Sequence, residues 1–426
     1  MKNNFTAILK RSNKIDTFSP YFFLPFILVL YFFTSLFDFY RFSYFNVTES
    51  IWPAVFLALL AYYVGVYIAD RRDWVFPSFG LSFLRNKTIY FVWVLALIGL
   101  GAYLIMLFTG QIGIADESIR RNLDPKLNFL SQLLWFAFLI LLAIRITKEE
   151  KLTVKKMFIY AIVFGFVMLL FMMMGYRTPL IIMLFTAFII FHYVIKRIKL
   201  SWFLSALLVI GVFFSMFGFM RVLSEDTSKE FNSREQPKVE LTVTEEVTKE
   251  TEEAKINSVP KWVRSLNGES VTGHIVLSKI IEYTGNEGYL NGEIHAGVFS
   301  TIMSGEQISP RMKVTEIVNS LSTDEGKYIT RPTRTTTPTF MGQLFLDGGY
   351  LLVAIGFLIY GIIVSTLYNQ VKRTEKQSYQ TVAYAFVITV FTVSMHTGLL
   401  DLIFILMTGF IILTAAIEKN KKIPLA

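Results

Sequence analysis

Between Met157 and Val194 the chain carries one arginine and one histidine, and no lysine, aspartate or glutamate. A helix of about 20 apolar residues crosses the roughly 30 Å hydrocarbon layer of a bilayer. This tract is long enough to cross twice with a turn near its middle. Backbone in lipid must satisfy its own hydrogen bonds, which confines spanning structures to helices and closed barrels. The same pattern recurs along the chain. Apolar segments lie at 20–38, 50–69, 88–109, 127–144, 157–175, 179–195, 201–220, 348–368, 379–396 and 399–417, and none has a Lys, Arg or Glu in its interior. Hydrophobic residues make up 54% of the 426 and charged residues 17%. A water-soluble body of this size cannot hide that much apolar surface. The expected fold class is an all-α polytopic membrane protein of about ten transmembrane helices.

Lysines and arginines accumulate on the cytoplasmic side of membrane proteins. With the N-terminus inside, Lys2, Lys10, Arg11 and Lys14 fall there, as do Arg71, Arg72, Arg85 and Lys87, the run from Arg145 to Lys156, Lys196, Arg197 and Lys199, then Lys372, Arg373 and Lys376, and finally Lys419, Lys421 and Lys422. The short loops on the other side hold only Arg41, Arg120, Arg121, Lys126 and Arg177. This asymmetry predicts an even number of helices with both termini cytoplasmic. The first apolar run is followed by Asp38, Tyr40 and Arg41 instead of a small-residue cleavage site, so it reads as a retained anchor.

The organisation that follows is a cytoplasmic segment 1–19, transmembrane helices one to seven over 20–220, an external loop over 221–345, helices eight to ten over 346–417, and a cytoplasmic tail 418–426. Within the loop, 224–257 contains TVTEEVTKETEEAK and too few large apolar residues to form a core. It reads as a mobile acidic strip. Over 259–340 apolar residues return at helical spacing (Val271, Ile275, Val276, Ile280, then Ile294, Val298, Ile302), which predicts a cap of short helices.

Arg177 sits at the tip of the hairpin MMMGYRTPLIIM. Gly175 permits a tight turn there, and Pro179 suits the first turn of the returning helix, where its missing N–H is not needed. A guanidinium held near lipid either snorkels to the headgroups or meets an anion. Arg120, Arg121, Arg221, Arg331 and Arg334 also fall outside, against the charge rule. Arginine suits phosphate because its planar fork donates two parallel hydrogen bonds. Together these residues are candidates for holding an anionic, phosphate-bearing ligand.

Candidate general bases outside are His274, Glu293, His295 and His396, and the sequence does not choose among them. His274 shares a predicted helix face with Ser278 and Glu282, His295 lies near Glu293, and His396 and Asp401 bracket an outer turn. Each histidine is equally readable as a hydrogen-bonded structural residue. His192 falls near the cytoplasmic end, and Asp347 reads as a helix N-terminal charge. The absence of cysteine removes disulfides and thiol nucleophiles, and HExxH, DxD, Walker A and GxSxG patterns are missing. No metal and no cofactor is expected. The net charge of +9 is spread over loops, which gives no reason to expect a nucleic-acid partner.

The hairpin GYRTPL, the long outer loop and the exit PTFMGQLFLDGGYLLVAIGFLIYG resemble the Wzy-type O-antigen, or oligosaccharide repeat-unit, polymerases. The family's Arg-x10-Gly spacing is matched by Arg331 and Gly342, while Gln343 stands where the family's Gly-acidic pair has its acidic residue. The resemblance covers helices five to eight; the first four match only in hydropathy. It implies a membrane glycosyltransferase of the bacterial cytoplasmic membrane, with its site facing outside and no required metal. It implies transfer of a glycan from undecaprenyl pyrophosphate onto a lipid-linked repeat unit. It also implies partners: membrane lipids, a flippase and a chain-length regulator. Three rivals share parts of the pattern. A ligase would use arginines in the same way. A flippase or transporter more often places charges near mid-membrane. A non-catalytic assembly protein would carry the cap alone.

Overall fold

The computed structural model describes residues 16–37, 47–77, 87–112, 124–149, 153–175, 177–209, 211, 261–300, 310–320, 336–373 and 378–417. Every element among them is helical: α1 (Phe23–Ser35), α2 (Trp52–Arg71), α3 (Thr88–Phe108), α4 (Pro125–Lys148), α5 (Val154–Met173), α6 (Arg177–Val194) and α7 (Leu200–Val209). After the long outer segment come α8 (Lys261–Glu287), α9 (Glu293–Ser300), α10 (Pro310–Ser320), α11 (Thr339–Arg373), α12 (Ser378–Thr397) and α13 (Leu402–Ile417). Six of these (α2 to α6 and α11) are long and apolar enough to cross a membrane; α1, α7 and α13 are shorter apolar helices. The protein is therefore a multi-pass membrane protein.

The bundle closes around α12, whose residues from Val382 to Phe391 are buried on every side. Trp135 and Phe136 of α4 pack on Phe386 from one side, with ring centroids 6.1 and 5.0 Å away. Tyr360 of α11 stacks on Phe391 at 3.6 Å from another. In lipid there is no hydrophobic gain from bringing helices together, so small residues that let backbones approach carry the packing. Ala54, Ala58, Ala61, Gly65 and Ala69 form such a stripe along α2. A Cβ on Gly65 would lie 2.2 Å from the Leu358 carbonyl oxygen, and one on Gly361 would lie 2.2 Å from that of Tyr62, so α2 and α11 touch backbone to backbone. By contrast α5 buries only Val167 and Phe171 and stands at the periphery.

One end of the bundle is tied by Asp16. Its carboxylate accepts from Tyr193 Oη at 3.1 Å, Tyr368 Oη at 2.9 Å and His192 Nε2 at 3.0 Å. His192 Nδ1 accepts the Ile198 N–H at 3.0 Å, which places the ring proton on Nε2 and makes this histidine a neutral fastening. Burial by itself pushes the Asp16 carboxyl upward, but the hydrogen bonds it accepts from His192, Tyr368 and the Phe18 N–H hold it below its ordinary value. Lys372 reaches Asp70 at 3.1 Å at this same end.

At the other end α11 departs from the sequence expectation. Sequence pattern starts this span at 348, but the helix begins at Thr339. Gly348 and Gly349 leave helical geometry and divide α11 into a short arm, 339–347, and the span proper. The arm folds back on the span: Phe340 stacks on Tyr360 at 4.4 Å. Arm residues Thr339 to Asp347 are all buried. Apolar side chains over TFMGQLFL continue the hydrophobic run of the span, so hydropathy alone does not mark the reversal at the glycine pair.

Candidate functional site

Four elements meet at the end that carries α8 to α10. The α5–α6 turn forms as expected, with Gly175 at φ +73°. It makes Arg177 the first residue of α6. The N-terminus of a helix carries partial positive charge and unpaired N–H groups, so Arg177 stands where an anion is already favoured. Its Nη1 meets Glu269 Oε1 of α8 at 3.1 Å. The second oxygen of that carboxylate faces His396 Nε2, in the last turn of α12, at 3.3 Å. His396 Nδ1 lies 2.8 Å from Tyr31 Oη of α1, and that hydroxyl donates to the Glu269 carbonyl at 2.9 Å. Glu269 is thus a bridge between an arginine and a histidine from different helices. Gly273, one turn beyond Glu269, makes the approach of Tyr31 possible, because a Cβ there would sit 2.0 Å from the hydroxyl. Composition and motif gave no hint of Tyr31 or Glu269; only the assembled bundle brings them to Arg177.

His274 belongs to a different environment. Ser35 Oγ donates to the Phe32 carbonyl at 2.6 Å, so its oxygen accepts from His274 Nδ1–H at 2.8 Å. The Trp52 ring packs edge-on at 6.3 Å. Burial pushes the imidazole down to about 4, and it stays neutral at physiological pH. Ser278 and Glu282, one and two turns further along the same helix, have partners of their own. Ser278 Oγ donates to the Glu49 carbonyl at 2.7 Å, and Glu282 pairs with Lys279 at 2.7 Å.

A further cluster surrounds the α11 arm. Asp347 caps the N-terminus of α9: its carboxylate accepts from the N–H of Ile294 at 3.2 Å and of His295 at 3.0 Å, and from His295 Nδ1. The sequence reading as a helix N-terminal charge is right in kind, but the helix it caps is α9 and not its own span. Glu293 pairs with Lys313 at 3.5 Å, and Asp401 pairs with Arg311 at 2.7 Å. One turn before Asp347, Gln343 Oε1 accepts the Leu399 N–H at 2.8 Å, which ties the arm to the turn just past His396. Arg120, Arg121, Arg221, Arg331 and Arg334 lie outside the described residues. Among the described residues no three His, Asp or Glu side chains converge as a metal site.

The architecture is that of a multi-pass helical membrane protein with a polar, arginine-bearing site at one end of the bundle. The family model of the O-antigen polymerases matches residues 16–251 and 270–408, which is most of the chain. The chain belongs to that family, as the hairpin and α11 entry suggested. No curated protein and no solved structure matches it.

Proposed function

We propose that the chain is a polysaccharide polymerase that transfers a growing glycan from undecaprenyl pyrophosphate onto a lipid-linked repeat unit. The reading places ten helices across the bacterial cytoplasmic membrane, with both termini inside and the Arg177 end outside. Charge distribution supports this: Arg72, Lys372 and Arg373 gather at the Asp16 end, where Lys372 and Arg373 pair with Asp70 and Asp73. A flippase and a chain-length regulator are the expected partners.

The observation that carries the chemistry is Arg177 at the head of α6, gripped by Glu269. In the transfer, an acceptor hydroxyl oxygen forms a bond to the anomeric carbon of the donor. The bond from that carbon to the pyrophosphate oxygen breaks, and its electron pair leaves with the lipid pyrophosphate. Negative charge develops on the departing group. Preorganised cationic donors stabilise that charge. Arg177 supplies such a donor beside the helix N-terminus, and Arg120, Arg121, Arg221, Arg331 and Arg334 are proposed to join it. Glu269 neutralises Arg177 until the anion arrives and then remains as a hydrogen-bond partner for His396.

The test is a deletion strain. Single lipid-linked repeat units accumulating on the outer leaflet, with single-unit transfer to the final acceptor retained, support a polymerase. Units trapped on the inner leaflet point to a flippase, and loss of all transfer points to a ligase; either contradicts the reading.

A further inference from the structure

We propose that His295, oriented by Asp347, is the general base that takes the proton from the acceptor hydroxyl; this rests on the polymerase reading above. A sugar hydroxyl is a weak nucleophile at neutral pH, and a positioned base raises its reactivity in the transition state. Four groups were candidates by sequence. His274 gives its Nδ1–H to Ser35 and is buried against Trp52, an environment that opposes taking on a proton. Glu293 is paired with Lys313. His396 has both ring nitrogens engaged, one by Tyr31 and one by Glu269.

His295 differs from all three. Its Nδ1 is committed to Asp347, which fixes the proton on that nitrogen and leaves Nε2 as the bare acceptor. Among the described residues nothing bonds to Nε2. The Asp347 side chain is wholly buried, whereas that of His295 is 38% exposed. A buried carboxylate behind a half-exposed imidazole is the arrangement that holds a histidine in one tautomer and stabilises the cation formed when it accepts a proton.

The dyad is also rigidly placed. Asp347 is held by the two α9 N–H groups as well as by the ring, so the plane of the carboxylate is set by helix geometry. The Leu290 N–H bonds to the Leu346 carbonyl at 2.8 Å, clamping the α9 entry to the arm. Gln343 stands four residues before Asp347, on the same face of the arm, and its bond to Leu399 ties that arm to the turn just past His396. The base and the arginine site are therefore parts of one connected framework. As the acceptor oxygen bonds to the anomeric carbon, its proton passes to His295 Nε2. Asp347 stays ionised beside the imidazolium, and the proton is lost to water once the lipid pyrophosphate has left.

The experiment uses the full chain in lipid vesicles with synthetic undecaprenyl-pyrophosphate repeat units, and reads chain extension. The wild type is expected to build a ladder; no ladder from the wild type overturns the polymerase reading itself. His295→Ala is expected to slow extension by about a hundredfold to ten-thousandfold, and added imidazole is expected to restore part of the rate. Asp347→Asn keeps an acceptor for the α9 N–H groups but disfavours the required tautomer, so it is expected to fall in the same way with thermal stability retained. The base assignment is overturned if the wild type extends and His295→Ala extends equally. It is also overturned if His295→Gln restores the rate while imidazole does not, since that marks a structural role.

Discussion

Arg177 and Glu269, 92 positions apart in sequence, meet at 3.1 Å at the end of the bundle where α6 begins. The glutamate side chain is 58% exposed, so the pair is open to water. Exposed ion pairs add only about 0–1 kcal/mol to stability. Under the proposed function the pair serves to place a guanidinium, so stability and function are expected to separate on mutation.

Glu269→Gln removes the charge and keeps the shape. Thermal stability in detergent is expected to change little, by less than about 1 kcal/mol. Polymer output is expected to fall about tenfold, as a misplaced donor costs transition-state stabilisation. Parallel melting and chain-extension measurements on the same preparation check both halves.

Gly273→Ala is expected to destabilise by about 1–3 kcal/mol, the usual cost of overpacking. Its Cβ would meet Tyr31 Oη at 2.0 Å. Combining it with Tyr31→Phe removes the clashing atom, so the double variant is expected to recover part of the melting temperature. Gly285→Ala on the same helix meets nothing within 4 Å and serves as the control.

Gly349 has φ +60° and ψ −151°, a region essentially reserved for glycine. Tyr289 Oη would be 2.5 Å from a Cβ there. Gly349→Ala is expected to cost about 1–3 kcal/mol and to loosen the arm that carries Gln343 and Asp347. Faster hydrogen exchange over 339–347, with exchange in α2 unchanged, is the expected signature.

Acid is expected to weaken the docking of α8 on α1. The folded His274 titrates at about 4, below its ordinary 6.5. The unfolded state therefore binds more protons between those values. Stability from this group is full above about 6.5, declines as pH falls toward 4, and then levels off. His274→Asn is expected to flatten that part of the curve. Melting temperature against pH for the two proteins provides the comparison.

Much of the fold was legible because the membrane enforces one rule on every span. Long charge-free runs reported helices, and Gly175 with Pro179 reported the α5–α6 hairpin. The α11 arm was not legible, because TFMGQLFL is as apolar as the span it packs against and only the backbone angles at Gly348 and Gly349 reveal the reversal. The site was half legible. Arg177 stands out because arginine is costly near lipid. Glu269 does not stand out, since a glutamate on a polar helix is ordinary until its partners converge. The partners of the other candidates were not legible either: Asp401 meets Arg311, Glu293 meets Lys313 and His295 meets Asp347, each from another element.

Reconstituted chain extension by the Arg177 variants is the most direct test of the pyrophosphate grip. With undecaprenyl-pyrophosphate repeat units as the only substrate, Arg177→Ala is expected to cut the rate by about a hundredfold to a thousandfold, as does loss of a preorganised transition-state donor elsewhere. Arg177→Lys, which keeps the charge without the fork, is expected to fall between that variant and the wild type. A ladder from both variants at the wild-type rate and length would contradict the account.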